Sequence, residues 1–231
     1  MKILGFLTLL FVHCQYILSS NQVEESYNSF RGKLVEYDKR IRPNAGGAPV
    51  KVSLTLHIQT FATTWDGIFL KTVVYLRQFY NDPRLQFDCV ASVTADVFDK
   101  IWEPDLFLPT TVEPITVFPG ERFVRIEPNG NIMTSQRIGI KTLCIASSNS
   151  TTPCTLEFES YGYSTKDISF VWKSGGQSVT HEAGNYLVSV NSLSLKEDNM
   201  VLSTGNYSRL ALTLELQNNR ISCIGKCLTS I

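Results

Sequence analysis

The stretch Val50-Lys51-Val52-Ser53-Leu54-Thr55-Leu56-His57-Ile58-Gln59 decides the fold class. Apolar and polar residues alternate along it without an error. Successive side chains of a strand point to opposite faces, so a period of two marks a strand with one face on a core and the other outward. The alternation returns near the C-terminus, where Leu210, Leu212, Leu214 and Leu216 interleave with Ala211, Thr213, Glu215 and Gln217. Leu156 and Phe158 interleave likewise with Thr155, Glu157 and Glu159. Within FVRIEPNGNIMTSQRI (123–138), Asn129-Gly130 stands between two such runs and predicts a hairpin, because both turn residues tolerate positive φ. Many half-buried antiparallel strands separated by turns predict an all-β domain, a sandwich or a barrel.

One short helix is expected near the N-terminus, where Tyr27, Phe30 and Leu34 recur at helical spacing, although Gly32 weakens it. There is no internal repeat, low-complexity tract or linker. With 231 residues, the chain has room for one sizeable core. Lys+Arg and Asp+Glu both number 21, so the net charge is zero. That argues against a nucleic-acid binder, which would need a basic face, and against a polybasic membrane-surface protein as well. Charged residues at 18% and aromatics at 11% exclude a disordered chain.

Residues 1–20, MKILGFLTLLFVHCQYILSS, join an early lysine, a short apolar run and a small-residue end. They read as a secretory signal, too short for a spanning helix. No later stretch has eighteen apolar residues, so no membrane span is expected after it. The expected layout is a signal over 1–20, one β domain over 21–220 and a short tail over 221–231. Sequons at Asn149 and Asn206 fit a secreted glycoprotein. Cys14 lies in the signal, leaving Cys89, Cys144, Cys154, Cys223 and Cys227, an odd number in an oxidising compartment. Cys144 and Cys154 flank the polar segment IASSNSTTP and read as a disulfide-closed loop, worth about 2–4 kcal/mol through the unfolded chain. Zinc at Cys223-x3-Cys227 is disfavoured, since no histidine or further cysteine lies near. No metal or cofactor is expected.

Catalysis finds no support. His13 lies in the signal, His57 on the polar side of a strand and His181 in a polar segment. No nucleophile elbow, P-loop, HExxH or dinucleotide fingerprint occurs. The chain is read as a non-enzyme.

Four segments occur in an order that carries a resemblance: Tyr37-Asp38-Lys39-Arg40-Ile41-Arg42-Pro43-Asn44, then Trp102-Glu103-Pro104-Asp105, then Glu159-Ser160-Tyr161-Gly162-Tyr163, then Ser203-Thr204-Gly205-Asn206-Tyr207-Ser208-Arg209-Leu210. Together with the cysteine-closed loop, they make residues 24–218 resemble the extracellular ligand-binding domain of the Cys-loop neurotransmitter receptors. The nearest similarity is to the GABA, glycine and glutamate-gated anion-channel branch. The resemblance implies a β-sandwich, assembly of like subunits into a homo- or hetero-pentamer, and a small zwitterionic transmitter bound between neighbours.

The principal wall of that site would be Phe107, then Glu159 and Tyr161, then Leu202, Thr204 and Tyr207. The complementary wall would be Tyr75, Arg77 and Ser135. Aromatic faces and a carboxylate suit the ammonium, and a guanidinium with a hydroxyl suits the carboxylate. Singly, Tyr75 and Phe107 read equally well as core aromatics, and Arg77 as half of a surface ion pair. Matches at all five loop positions together favour the site. Phe107 stands where GABA-type subunits usually have tyrosine, and Leu202 where β-type subunits have phenylalanine. The polar cysteine loop departs from the family's longer loop with its Phe-Pro centre, and the tail stands where membrane helices would follow. Two readings remain open, a secreted pore-less binding protein and the outer part of a truncated channel subunit. A third is an assembly partner that binds no ligand.

Overall fold

The computed structural model describes residues 21–64, 68–88, 92–95, 97, 99–145, 151–182 and 188–218. The expected signal, the sequon at Asn149, Cys89, Cys223, Cys227 and the tail lie outside the described residues. A helix, α1 (21–33), precedes the strands β1 (Val50–Thr63), β2 (Phe69–Asn81), β3 (Val93–Ala95), β4 (Leu106–Phe107), β5 (Thr116–Ile126) and β6 (Asn131–Leu143). After them come β7 (Thr151–Ser160), β8 (Ile168–Trp172), β9 (Val179–His181), β10 (Val188–Leu202) and β11 (Gly205–Asn218). They form a seven-stranded sheet, ordered β3-β5-β6-β2-β1-β8 with β9 also on β1, and a four-stranded sheet, ordered β10-β11-β7-β4. The all-β sandwich with a short N-terminal helix is therefore present.

The alternating runs form the core as their pattern requires. Val52, Leu54, Leu56 and Ile58 of β1 are buried in one cluster with Leu156 and Phe158 of β7 and Leu210, Leu212, Leu214 and Leu216 of β11. The inward faces of the two sheets thus pack on each other, and the polar residues between point away. At the end of β1 the pairing with β2 shifts between Ile58 and Thr60, a bulge that turns Phe61 inward after the alternation has run out. In the N-terminal helix, Phe30 is buried edge-on against Phe87, with ring centroids 5.8 Å apart. Leu34 falls just beyond the helix and packs partly buried on the core.

The Cys144–Cys154 disulfide is formed. It joins the end of β6 to β7, hence one sheet to the other. The sheets are joined again where Phe158 of β7 meets Trp172 of β8 at 6.1 Å, and where the Phe170 amide donates to Ser208 Oγ at 2.8 Å.

The hairpin at Asn129-Gly130 exists, but its turn differs from the expected one. Four residues, Glu127–Gly130, separate β5 from β6, and Gly130 N donates to the Glu127 carbonyl at 2.9 Å. Gly130 alone of the pair has positive φ, at 79°. A second demand falls on this glycine: a Cβ there would lie 2.5 Å from the Asp82 carbonyl oxygen. Gly130→Ala is therefore expected to lower stability by about 1–3 kcal/mol through both strain and clash. A urea midpoint equal to that of the parent would contradict this account of the turn.

Candidate ligand-binding faces

Tyr75 and Arg77 project from β2 on the face of the seven-stranded sheet turned away from the core. Their even-numbered neighbours Val74 and Leu76 are buried. Register then sets their companions. Arg77 lies opposite Thr55 of β1 and Ser135 of β6, and Tyr75 lies opposite His57 and Arg137. The His57 ring stacks on Tyr75 at 6.2 Å, with its Nδ1 2.9 Å from Thr180 Oγ1 and its Nε2 3.2 Å from the Glu182 carboxylate. The Arg77 guanidinium carbon lies 6.0 Å from the centre of the Tyr75 ring.

Two arginines on this face differ in what they can still do. Arg137 donates to Gln59 Oε1 at 2.8 Å, pairs with Glu121 at 3.0 Å and lies over the Phe118 ring at 4.3 Å. Among the described residues no carboxylate pairs with Arg77. Its planar set of donors stays open to an anion, whereas Ser135, opposite it in register on the next strand, is buried.

The expected principal residues gather on the four-stranded sheet. Phe107 of β4 lies opposite Glu159 of β7, and Glu159 lies opposite Arg209 of β11. Phe107 meets Tyr161 edge to face, with centroids 5.4 Å apart and an interplanar angle of 89°. Tyr161 is 77% exposed, an aromatic surface with little covering it. Leu202 and Thr204 are exposed at the tip of the β10–β11 hairpin, where the Tyr207 hydroxyl donates to Thr204 Oγ1 at 3.0 Å. Asn206 is exposed on the same tip.

Glu159 is buried, and Arg209 Nε donates to its carboxylate. The same guanidinium lies 3.1 Å from Glu157. Any role for Glu159 toward an ammonium must therefore include Arg209, which shares its charge. That residue went unremarked in the sequence beyond its place in a motif. The alternation puts Glu157 and Glu159 on one strand face, but only the pairing of β7 with β11 shows that Arg209 meets them.

The motif residues hold the loops. Asp105 accepts from Ser160 Oγ at 2.6 Å through one carboxylate oxygen, and from the amides of Gly162 and Tyr163 at 2.6 and 3.2 Å through the other. This clamp fixes the turn that carries Tyr161. Trp102 is buried, with its indole N–H donating to the Tyr163 hydroxyl at 3.2 Å and its carbonyl accepting from the Tyr80 hydroxyl at 2.8 Å. Its amide donates to the Tyr37 hydroxyl at 3.0 Å, and that hydroxyl donates to buried Asp82 at 2.7 Å. Arg42 reaches Asp167 at 3.0 Å and donates to the carbonyls of Pro43 and Asn44. The Thr165 amide, two residues before Asp167, donates to the Asn206 carbonyl at 2.8 Å and so ties the β10–β11 hairpin down.

Glu103 sits beside this scaffold, and burial pushes its pKa up to about 7 despite Arg122 at 3.6 Å. A carboxyl that binds its proton more tightly when folded stabilises the fold at low pH and loses that advantage as pH rises from about 4.5 to about 7. Glu103→Gln is accordingly expected to raise the melting temperature at pH 8 and to leave it nearly unchanged at pH 4.5. An equal shift at both pH values would contradict the burial argument.

The two sets of residues lie on different sheets. Among the described residues they share no strand pairing, hydrogen bond or ring contact. Also among the described residues, no helix is long and apolar enough to cross a membrane.

The structure is thus a two-sheet sandwich with the Phe107–Tyr161 aromatic pair at one sheet and, on the other, an arginine with no carboxylate partner among the described residues. The chain belongs to the neurotransmitter-gated ion-channel ligand binding domain family, whose model matches residues 27–220. It is 31% identical to the gamma-aminobutyric acid receptor subunit pi of Mus musculus, over 94% of this chain and 53% of that protein. To the same-named subunits of Bos taurus and Rattus norvegicus it is 31% and 32% identical, over 84% of this chain and 47% of each. The chain thus spans about half the length of the curated relatives it matches. The family serves neurotransmitter-gated ion channels and is not an enzyme family.

Proposed function

We propose that this chain is an extracellular receptor module that binds a small amino-acid transmitter, GABA-like in chemistry, at the interfaces of a homo- or hetero-pentamer. The observation that carries this reading is Arg77. It is a guanidinium with no carboxylate partner among the described residues, in register with Ser135 and beside the Tyr75 ring. A carboxylate takes two parallel hydrogen bonds from such a group. The ammonium end is met by the Phe107–Tyr161 aromatic pair and by Tyr207 under the hairpin, each ring contributing about 0.5–2 kcal/mol as the cation loses water. Each chain offers both walls on separate sheets, so a ring of like subunits completes one site at each contact.

Of the two ways such a module works, the signal-like N-terminus and polar cysteine loop support a secreted, pore-less binding protein. The names of its relatives, gamma-aminobutyric acid receptor subunits, and the family model support a part in a neurotransmitter-gated channel instead. The test common to both is to express the full chain through the secretory route, measure its mass by light scattering and titrate GABA by calorimetry. A particle of about five protomers with saturable binding is expected. A monomer that shows no saturation by about 10 mM, far weaker than the micromolar scale of a specific site, would overturn the proposal.

A further inference from the structure

A recess of about 530 Å³ opens on the same outer face of the seven-stranded sheet, beyond the transmitter half-site. Its floor is Phe79 of β2 and Met133 of β6, which lie opposite each other in the register. They stand one same-face step, about 7 Å, from Arg77 and Ser135. Arg125 lies opposite Met133 on β5, Lys51 lies two residues before Ser53, which faces Phe79, and Lys173 follows β8. Three cations thus converge from three directions on an apolar floor. The Lys173 ammonium lies 4.4 Å from the centre of the Phe79 ring.

None of these three has a carboxylate partner among the described residues. On the same sheet Arg122, Arg137 and Lys141 are each paired, with Glu103, Glu121 and Glu113. The single acidic residue of the recess, Glu127, accepts from Asn131 Nδ2 at 3.2 Å. With three cations against the one carboxylate of Glu127, the recess carries a surplus of positive charge above an aromatic and a thioether surface. Isolated surface lysines are held by water alone. Here the lysine is laid over a ring and its neighbours share one concavity, which lowers the local dielectric and strengthens attraction for an anion.

We infer that this recess is a second ligand site, distinct from the transmitter site and complete within one chain, and that it takes a small organic anion with a flat apolar body. The anionic group sits among Lys51, Arg125 and Lys173, and the apolar body covers Phe79 and Met133. Because it needs neither Arg77 nor a neighbouring chain, its fate is separable from that of the proposed function.

The probe is naphthalene-2-sulfonate, titrated into the full chain by calorimetry, with the uncharged 2-naphthalenemethanol as control. One saturable site per chain is expected, weakened by added salt. Each of Lys51→Gln, Arg125→Gln and Lys173→Gln should weaken it about fivefold, and the triple variant should abolish it, while Lys173→Arg retains it. Arg77→Ala should leave it unchanged. The uncharged control should bind parent and triple variant alike. Equal affinity of parent and triple variant would overturn the inference. So would loss of binding in Arg77→Ala alone, or no saturation by about 10 mM.

Discussion

Replacing Arg77 by alanine is expected to lower the affinity for an amino-acid transmitter by about 2–5 kcal/mol, roughly 30-fold or more. The size follows from what remains once the arginine is gone. The ligand carboxylate would be removed from water against Ser135 and the Tyr75 ring, with no cation to meet it. The loss should track the carboxylate. Butyrate, which has only the acid, should lose binding in step with GABA, and butylamine should be nearly indifferent. Glu159→Gln should produce the converse pattern for a physical reason visible in the structure. Without that carboxylate the Arg209 guanidinium loses its closest counter-charge and repels an incoming ammonium. Calorimetric titration of three ligands against two variants checks the assignment. Butylamine responding equally to both variants would contradict it.

Trp102→Ala is expected to cost about 3–5 kcal/mol of stability, the range for deleting a buried aromatic side chain. Its indole is buried and meets Tyr80 and Tyr163 edge to face, at 5.5 and 6.0 Å. The Tyr163 hydroxyl would also lose its indole donor. Since Tyr163 belongs to the turn that presents Tyr161, a weakened ammonium wall should accompany the lost stability. Trp102→Phe keeps a smaller aromatic body while losing the N–H and part of the ring volume, so it should cost less than the alanine variant, about 1–3 kcal/mol. Urea unfolding measures both variants. A cost under about 1 kcal/mol for the alanine variant would show that the indole does not anchor this loop.

Much of this was legible in the sequence because alternation is a physical signal. The period of two in Val50–Gln59 and Leu210–Gln217 fixed which residues of those runs face the core, whereas the shared outer face of Tyr75 and Arg77 is a finding of the structure. Where the backbone departs from strict pairing, the pattern fell silent. The bulge after Ile58, the four-residue turn before Asn131 and the short strand at Leu106–Phe107 depend on contacts made after folding. The same holds for polar partners. Asp105 and Ser160 are distant in sequence, as are Arg42 and Asp167, so only the fold shows that the resembling motifs clamp loops. Glu159 shows the limit most clearly. Its place in a motif identified a carboxylate, but the pairing with Arg209 belongs to the strand register.

The central claim is that two chains are needed to build one transmitter site, and subunit mixing tests it most directly. Arg77→Ala removes the complementary wall and keeps the principal one, while Tyr161→Ser, at an exposed position, does the reverse. Each variant alone should assemble and lose high-affinity binding. Co-expressed in equal amounts, they should regain about a quarter of the sites, the fraction of contacts at which two intact walls meet in a randomly mixed ring. Assembled mixtures that regain no high-affinity sites would contradict the account, because that is the behaviour of a site held within a single chain.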